Sequence, residues 1–335
     1  KDGISRKLAI VTGSNTGVGF ETAKSLVSDY GFDVILACRS RNKGLSAVKK
    51  INEEVSRSFP TKEQDSSSST GSHGKAIFLH PLDLCDFDSV KEFSTQVQKK
   101  YDNVNILVNN AGLNSSEKTQ EGLDSCFKTN FLGHFLLTNL LMPALLKCQG
   151  SRVINLSSVT HHFVEEGIGE KEDERGSLGR SWWTKQATYG QSGISYRTSK
   201  LASILFSIEL NKRFGSKGLQ SIAVNPGSVN SDIWRGYPRW IIPIFRMIYL
   251  TSKQGSSTSV AAAVGEFPKA QKDKVVYLQP YRQLFSSKAQ KPPFPAFEML
   301  GPYVGYEITT PRLPSDGGPK SAQALWEVSQ NLCGI

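Results

Sequence analysis

Cysteine is scarce: five residues (Cys38, Cys85, Cys126, Cys148, Cys333) in a chain of 335, with no CxxC pair. A disulfide scaffold and a zinc ribbon are thereby excluded, and reduced thiols in an intracellular compartment are expected. Cys85, Cys126 and Cys148 read as core or helix residues, not nucleophiles. No run of 18 apolar residues occurs, so the sequence shows no obvious membrane span. Internal repeats and domain linkers are lacking too. Acidic residues are outnumbered, 30 Asp+Glu against 40 Lys+Arg, giving a formal net charge of +10. That balance favours anionic partners: phosphates, nucleic acid or an anionic membrane surface. Yet the cations form no blocks and no aromatics interleave with them, so nucleic acid falls away. The chain begins Lys1-Asp2-Gly3 without an initiator Met. A processed or truncated form is expected, with any anchor or transit peptide lying upstream of the sequence.

What is present is a soluble globular composition, 38% hydrophobic and 21% charged. The length permits two domains by a soft prior, although α/β folds of this size often form one. Short apolar runs alternate with amphipathic stretches over the first 230 residues. Strands are predicted at residues 7–12, 33–38, 76–80, 105–109, 152–156 and 219–224, with a seventh at 275–278. Helices are predicted at about 19–29, 43–57, 88–100, 122–148 and 196–214. Strands apolar throughout and separated by helices are buried on both faces, which predicts a doubly wound parallel sheet. Residues 61–75 are Ser-rich and read as a solvated loop. Residues 163–195, Gly-rich and charged around Trp182 and Trp183, form a second excursion. Residues 280–320 hold a Pro-rich tail that the pattern does not interpret.

Thr12-Gly13-Ser14-Asn15-Thr16-Gly17-Val18-Gly19 follows the first strand and opens the first helix. Glycines there allow a tight turn whose N–H groups approach a pyrophosphate at the positive helix end. The second strand ends Ala37-Cys38-Arg39-Ser40-Arg41-Asn42-Lys43, with three cations and no acid. An acid there would bind a ribose 2′-hydroxyl, whereas Arg39 accommodates a 2′-phosphate. NADP(H) is the expected cofactor, with Arg41 and Lys43 either assisting or only solvated.

Further motifs follow in order: Asp83-Leu84, Asn109-Asn110-Ala111-Gly112, Ser157-Ser158, Tyr196-Arg197-Thr198-Ser199-Lys200 and Asn225-Pro226-Gly227. Together with the glycine turn they resemble the short-chain dehydrogenase/reductase superfamily over about residues 5–232. Ala37-Cys38-Arg39, NFLGHFLLT (130–138) and SSVTHH (157–162) resemble, within it, the retinol dehydrogenase, WW-domain oxidoreductase and protochlorophyllide reductase branch. The resemblance implies a Rossmann-type α/β fold: one doubly wound parallel sheet of about seven strands with helices on both faces, spanning 1–335 as a single NADP-binding domain. The stretches 61–75 and 163–195 are then loop insertions, and 230–335 a substrate cap with a C-terminal extension.

The chemistry stands beside the resemblance. A hydride added to a carbonyl leaves an alkoxide-like oxygen that needs a proton, which a tyrosine supplies if its pKa falls towards neutrality. A lysine four residues along a helix lies on the same face and brings the positive charge. Tyr196 and Lys200 have that spacing. The resemblance makes Ser158 the residue that orients the substrate oxygen, in preference to Ser157, and Asn130 the support of a water-linked proton relay to Lys200. It also implies cofactor binding by Gly13, Ser14, Asn15, Thr16, Gly17, Val18, Gly19 and Arg39. Asp83 and Leu84 serve the adenine side, and Asn110, Ala111 and Gly112 pass beneath the cofactor, where Tyr196 and Lys200 also meet it. Pro226, Gly227, Val229 and Ser231 close over the nicotinamide end, with Ser231 standing where the family usually has threonine.

No metal is expected. His161 and His162 are adjacent, and on an extended segment they point to opposite sides. Ser158 and Tyr196 lie 38 positions apart, so the insertion loops out and returns near the site. Trp182, Trp183 and Tyr189 then either wall the substrate pocket or pack on the body. Residues 233–250, aromatic and aliphatic with Arg235, Arg239 and Arg246 between, predict a lipophilic substrate or a membrane-touching amphipathic patch. Packing against the body or a partner subunit is the alternative. The expected activity is carbonyl–alcohol interconversion on a retinoid, steroid, terpenoid or aldehyde. The rivals are an NADPH-sensing binding protein at a membrane and a light-dependent tetrapyrrole reductase. Expected partners are a small lipophilic molecule, a membrane surface through 233–250, and a second copy as homodimer.

Overall fold

The computed structural model describes residues 6–58, 73–164, 178–191, 193–229, 249–268, 274–282 and 303–335. β1 (Leu8–Thr12), β2 (Asp33–Ala37), β3 (Ala76–Ile77), β4 (Ile106–Asn109), β5 (Arg152–Leu156), β6 (Gln220–Val224), β7 (Val276–Arg282) and β8 (Tyr303–Thr309) form one sheet. Its order is β3-β2-β1-β4-β5-β6-β7-β8. The first seven strands run parallel and β8 pairs antiparallel with β7. Strand order therefore reverses between β1 and β4, and open sheets of this kind bind ligands in the crevice beyond the strand ends at that point.

Side chains of β1 divide by parity between two cores. Leu8 and Ile10 join Leu107 and Val153 beneath Phe93, Phe135, Phe206 and Trp326. Ala9 and Val11 join Val34, Val108 and Ile154 beneath Phe20, Leu26 and Ala262. The first core is roofed by α3 (Phe87–Lys100), α5 (Gly133–Leu146), α7 (Ser195–Phe214) and α9 (Pro319–Cys333). The second is roofed by α1 (Gly17–Ser28), α2 (Arg41–Ser58) and α8 (Ser252–Val264). Both faces are covered, as the uninterrupted apolar strands require. The helices obey local rules: the Asp86 carboxylate caps α3 by accepting from the N–H groups of Asp88 and Ser89, and Thr251 with Gln254 closes a capping box on α8.

Several expectations are corrected. Among the described residues the sheet has eight strands, one beyond the expected seven or so, the last lying in the Pro-rich tail. β3 is only two residues long, an edge strand held from one side. The predicted helix over 122–148 is three pieces: α4 (Ser125–Phe127), a π-turn (Lys128–Leu132) and α5. By length and composition Ser125–Leu146 could cross a membrane, but 72% of its apolar window is buried inside this fold. Within the 163–195 excursion, α6 (Arg180–Ala187) packs Trp182 and Trp183 into the body, with Trp183 fully buried against Phe127. The packing alternative thus holds for both tryptophans, while Tyr189 is exposed. His161 and His162 occupy a 3-10 turn (Val159–Phe163) in place of an extended segment, and their rings stand 4.1 Å apart between centroids. Ser231, most of 163–177 and most of 233–250 lie outside the described residues.

Candidate active site

The site assembles at the carboxyl ends of β1, β4 and β5. Gly13 and Gly17 take φ of +63°, a left-handed conformation that glycine adopts without strain. The Gly13 N–H donates to Ala37 O at 2.8 Å, which folds the turn back over β2. Ser14 Oγ donates to Val11 O, Asn15 is half-buried, and Thr16 is the N-cap of α1 but makes no side-chain cap hydrogen bond. No acid stands in the first turn of α1. A cradle of N–H groups at the positive helix end, with open space beside Gly17, suits a pyrophosphate. Val18 meets α8 across Gly255, and Gly19 lies against the Asn110 side chain.

Arg39 projects from the end of β2 with its side chain 78% exposed, 3.8 Å from Asp83. Asp83 also accepts from the Cys85 N–H at 2.9 Å. Leu84 packs beneath α5, where its carbonyl oxygen lies 2.2 Å from the place a Cβ on Gly133 would take. The Asn110 amide side chain donates to Thr12 O at 2.7 Å, and the backbone N–H groups of Asn110 and Ala111 donate to Thr12 Oγ1. This pins the β4 turn to the glycine turn.

On the other side stand the residues expected to be catalytic. Ser158 caps the 3-10 turn, its hydroxyl accepting from the Thr160 N–H at 3.3 Å, and it acts from there to lower the pKa of Tyr196 in the first turn of α7. Ser157 instead donates to Lys200 O at 2.8 Å and is buried away from Tyr196. Lys200 Nζ sits 5.5 Å from the Tyr196 ring centroid, donates to Leu156 O at 3.1 Å, and lies 3.5 Å from where a Gly112 Cβ would be. Asn130 is buried in the π-turn. Its Oδ1 accepts from Leu113 N at 2.8 Å, and its Nδ2 donates to Leu113 O, Cys126 Sγ and Ser199 Oγ. Asn130, Ser158, Tyr196 and Lys200 are thus brought together. Pro226 and Val229 stand with Val18 around Gly255, Gly227 lies against Pro280 and Leu250, and Val229 pairs with Leu250.

The electrostatics differ from the expected fall in the tyrosine pKa. Burial pushes the Tyr196 phenol up to about 12, with only the Ser158 hydrogen bond opposing. Burial pulls Lys200 down to about 8. Desolvation of the charged phenolate outweighs that bond, and the Lys200 ammonium is turned to the Leu156 carbonyl. Reasoning from sequence missed the Thr12 hydroxyl, the Leu113 backbone, Ser199 and His134. Thr12, Ser199 and His134 lie inside the glycine-turn, Tyr196–Lys200 and NFLGHFLLT motifs, whereas the Leu113 backbone left no signal. Among the described residues no group of three or more His, Cys, Asp or Glu is placed to hold a metal.

The short chain dehydrogenase family profile matches residues 61–168. Retinol dehydrogenase 11 of Mus musculus is 34% identical over 264 residues, covering 78% of this chain and 74% of that protein. Retinol dehydrogenase 12 of Bos taurus is 30% identical, covering 98% of this chain and 87% of that protein. This chain belongs to the short-chain dehydrogenase/reductase family. Within the family it falls in the retinol dehydrogenase-like branch. Among solved structures, an uncharacterized protein from Mycobacterium paratuberculosis superposes with a TM-score of 0.62 at 25% identity, covering 99% of this chain and 94% of the other. The family's oxidoreductase chemistry uses a nicotinamide cofactor, and the glycine turn and the β4 turn of this short-chain dehydrogenase fit one.

Proposed function

We propose that this short-chain dehydrogenase/reductase is an NADP(H)-dependent oxidoreductase that interconverts a carbonyl and an alcohol on a lipophilic substrate. The observation that carries the reading is the juxtaposition of Ser158 and Tyr196, with Lys200 one turn further along α7 and its Nζ 5.5 Å from the Tyr196 ring centroid. A substrate oxygen placed before that pair accepts from both hydroxyls, which fixes its orientation. In the reducing direction Tyr196 gives its phenolic proton to the oxygen as negative charge develops there, and Ser158 stabilises the same oxygen. In the oxidising direction Tyr196 takes the proton back. Lys200 supplies positive charge beside the phenol. The bound nicotinamide supplies or accepts the hydride.

Preference for the 2′-phosphate is supported by the exposed, forward-reaching Arg39 and by the lack of any acid from Cys38 to Lys43. The lipophilic substrate class is supported by the aromatic and aliphatic composition of 233–250 and by the names of the relatives. The test is a screen of NADPH consumption by purified protein against retinoid, steroid, terpenoid and aldehyde carbonyls. Turnover is expected with one class, and Tyr196→Phe should lower it by about a hundredfold or more. A fully active Tyr196→Phe enzyme would sink the mechanism, and no consumption with any class would sink the activity.

A further inference from the structure

His134 takes no part in the chemistry just described, yet it is buried in the middle of the site. It stands on the first turn of α5, four residues after Asn130. Its Nδ1 is 2.9 Å from the Asn130 main-chain oxygen, and its Nε2 is 2.8 Å from Thr12 Oγ1. A carbonyl oxygen only accepts, so Nδ1 carries the hydrogen. Burial, together with the nearby charge of Lys200, pulls His134 down to about 4, so the ring is neutral and Nε2 is an acceptor. The Thr12 hydroxyl then gives its one hydrogen to Nε2 at 2.8 Å, the nearer of its two acceptors, Val108 O lying at 3.3 Å. Its two lone pairs are left for the N–H groups of Asn110 and Ala111, each at 2.9 Å. Every donor and acceptor in the bridge is then used.

The placement of Asn130 explains what such a bridge does. Asn130 sits in a π-turn, where the Gly133 N–H reaches back five residues to Lys128 O. Wide turns of this kind loosen the regular helical ladder and recur at functional sites. The Asn130 side chain is spent on Leu113, Cys126 and Ser199, which leaves its main-chain carbonyl as the group facing other partners. We propose that His134 is a positioning residue: its imidazole ties the Asn130 carbonyl to the Thr12 hydroxyl, holding the π-turn, the Asn110–Gly112 turn and Lys200 in one register. The inference rests on the reaction proposed above.

Two variants separate the two bonds. His134→Asn keeps a donor near the place of Nδ1 and falls short of Thr12. His134→Gln reaches Thr12 and leaves the Asn130 carbonyl without its donor. Each is measured for NADPH affinity by fluorescence titration, for kcat, and for thermal unfolding. Leaving a buried acceptor unpaired predicts a loss of about tenfold or more in kcat for His134→Gln, with NADPH Kd changed less than about threefold. His134→Asn, which breaks the Thr12 end, should also lower kcat by about threefold or more. Unchanged kcat in either variant overturns the proposal. Nitrogen shifts of labelled histidine in the unmodified protein decide independently of whether the variants fold. A neutral Nδ1–H ring at His134 from about pH 5 to 8 is expected, although free histidine titrates there. An Nε2–H tautomer, or titration in that range, overturns it. Protein that binds NADPH but reduces no carbonyl counts against the proposed reaction alone, and the nitrogen shifts still judge the bridge.

Discussion

Lys128 opens the π-turn that carries Asn130, and its side chain is only 2% exposed. Its ammonium has two partners: Glu121 at 2.9 Å, whose side chain is 56% exposed, and the face of Phe87 at 4.4 Å. The two ends of this pair are not equivalent. Removing Glu121 strands a charge in the interior, and the cost of breaking a buried pair that way is about 3–5 kcal/mol. Because Glu121 is more than half exposed, screening and the remaining cation–π contact reduce that to about 2 kcal/mol for Glu121→Ala. Removing the charge instead, by Lys128→Met, leaves Glu121 free to turn into water and keeps the apolar stem packed. That change should cost less than about 1 kcal/mol. Urea unfolding at neutral pH reads the ranking as a shift in midpoint at constant slope. The pH dependence gives a second reading. The Lys128 hydrogen bond holds Glu121 down at about 2, below the ordinary carboxylate value of 4.5. A lowered carboxylate stabilises the folded state above its unfolded pKa, and that contribution is lost as pH falls through the folded value. The difference between unmodified protein and Glu121→Ala should therefore shrink from about pH 5 down to about pH 2. If Lys128→Met proves the more damaging substitution, the argument from stranded charge is wrong.

Two substitutions test the cofactor side. Arg39→Ala should erode a preference for NADPH over NADH by about tenfold, the worth of one charge-assisted hydrogen bond; equal use of both nucleotides by the unmodified protein would refute the assignment. Gly133→Ala would set a methyl 2.2 Å from Leu84 O, a backbone atom that cannot swing away. Overpacking of that kind predicts a loss of about 1–3 kcal/mol in thermal or urea unfolding, and stability unchanged within error would show that α5 shifts freely past the Asp83-Leu84 turn.

The parallel core was legible because β1, β2, β4, β5 and β6 are buried on both faces and so read as unbroken apolar runs. β3 was over-read, since Ala76 to His80 is apolar enough for a strand but finds a partner only in Val34 and Ile35. β8 was missed for the opposite reason. Tyr303 to Thr309 is an edge strand with Tyr306 and Ile308 exposed, embedded in a Pro-rich tail that masks its alternation. α8 escaped notice because Ser, Gly and Ala make up most of it, leaving no large apolar stripe; its contact with the body depends on Gly255 meeting Val229, Pro226 and Val18.

The site was legible as residue types at fixed spacing, and there the limit is informative. Spacing put Lys200 on the same helical face as Tyr196, which is where the structure has it, but spacing carries no measure of desolvation. Once both groups are buried, the phenol rises and the ammonium falls, the reverse of the shift that charge alone predicts for the tyrosine. Asn130 shows the same limit in another form. Its side chain suggests the working group, yet a one-residue change in helical hydrogen bonding, which leaves no trace in composition, commits that side chain to Leu113 and Ser199. Any relay through Asn130 must then run by its main-chain carbonyl. That atom belongs to every residue alike, so only the fold, through the imidazole of His134, distinguishes it from its neighbours.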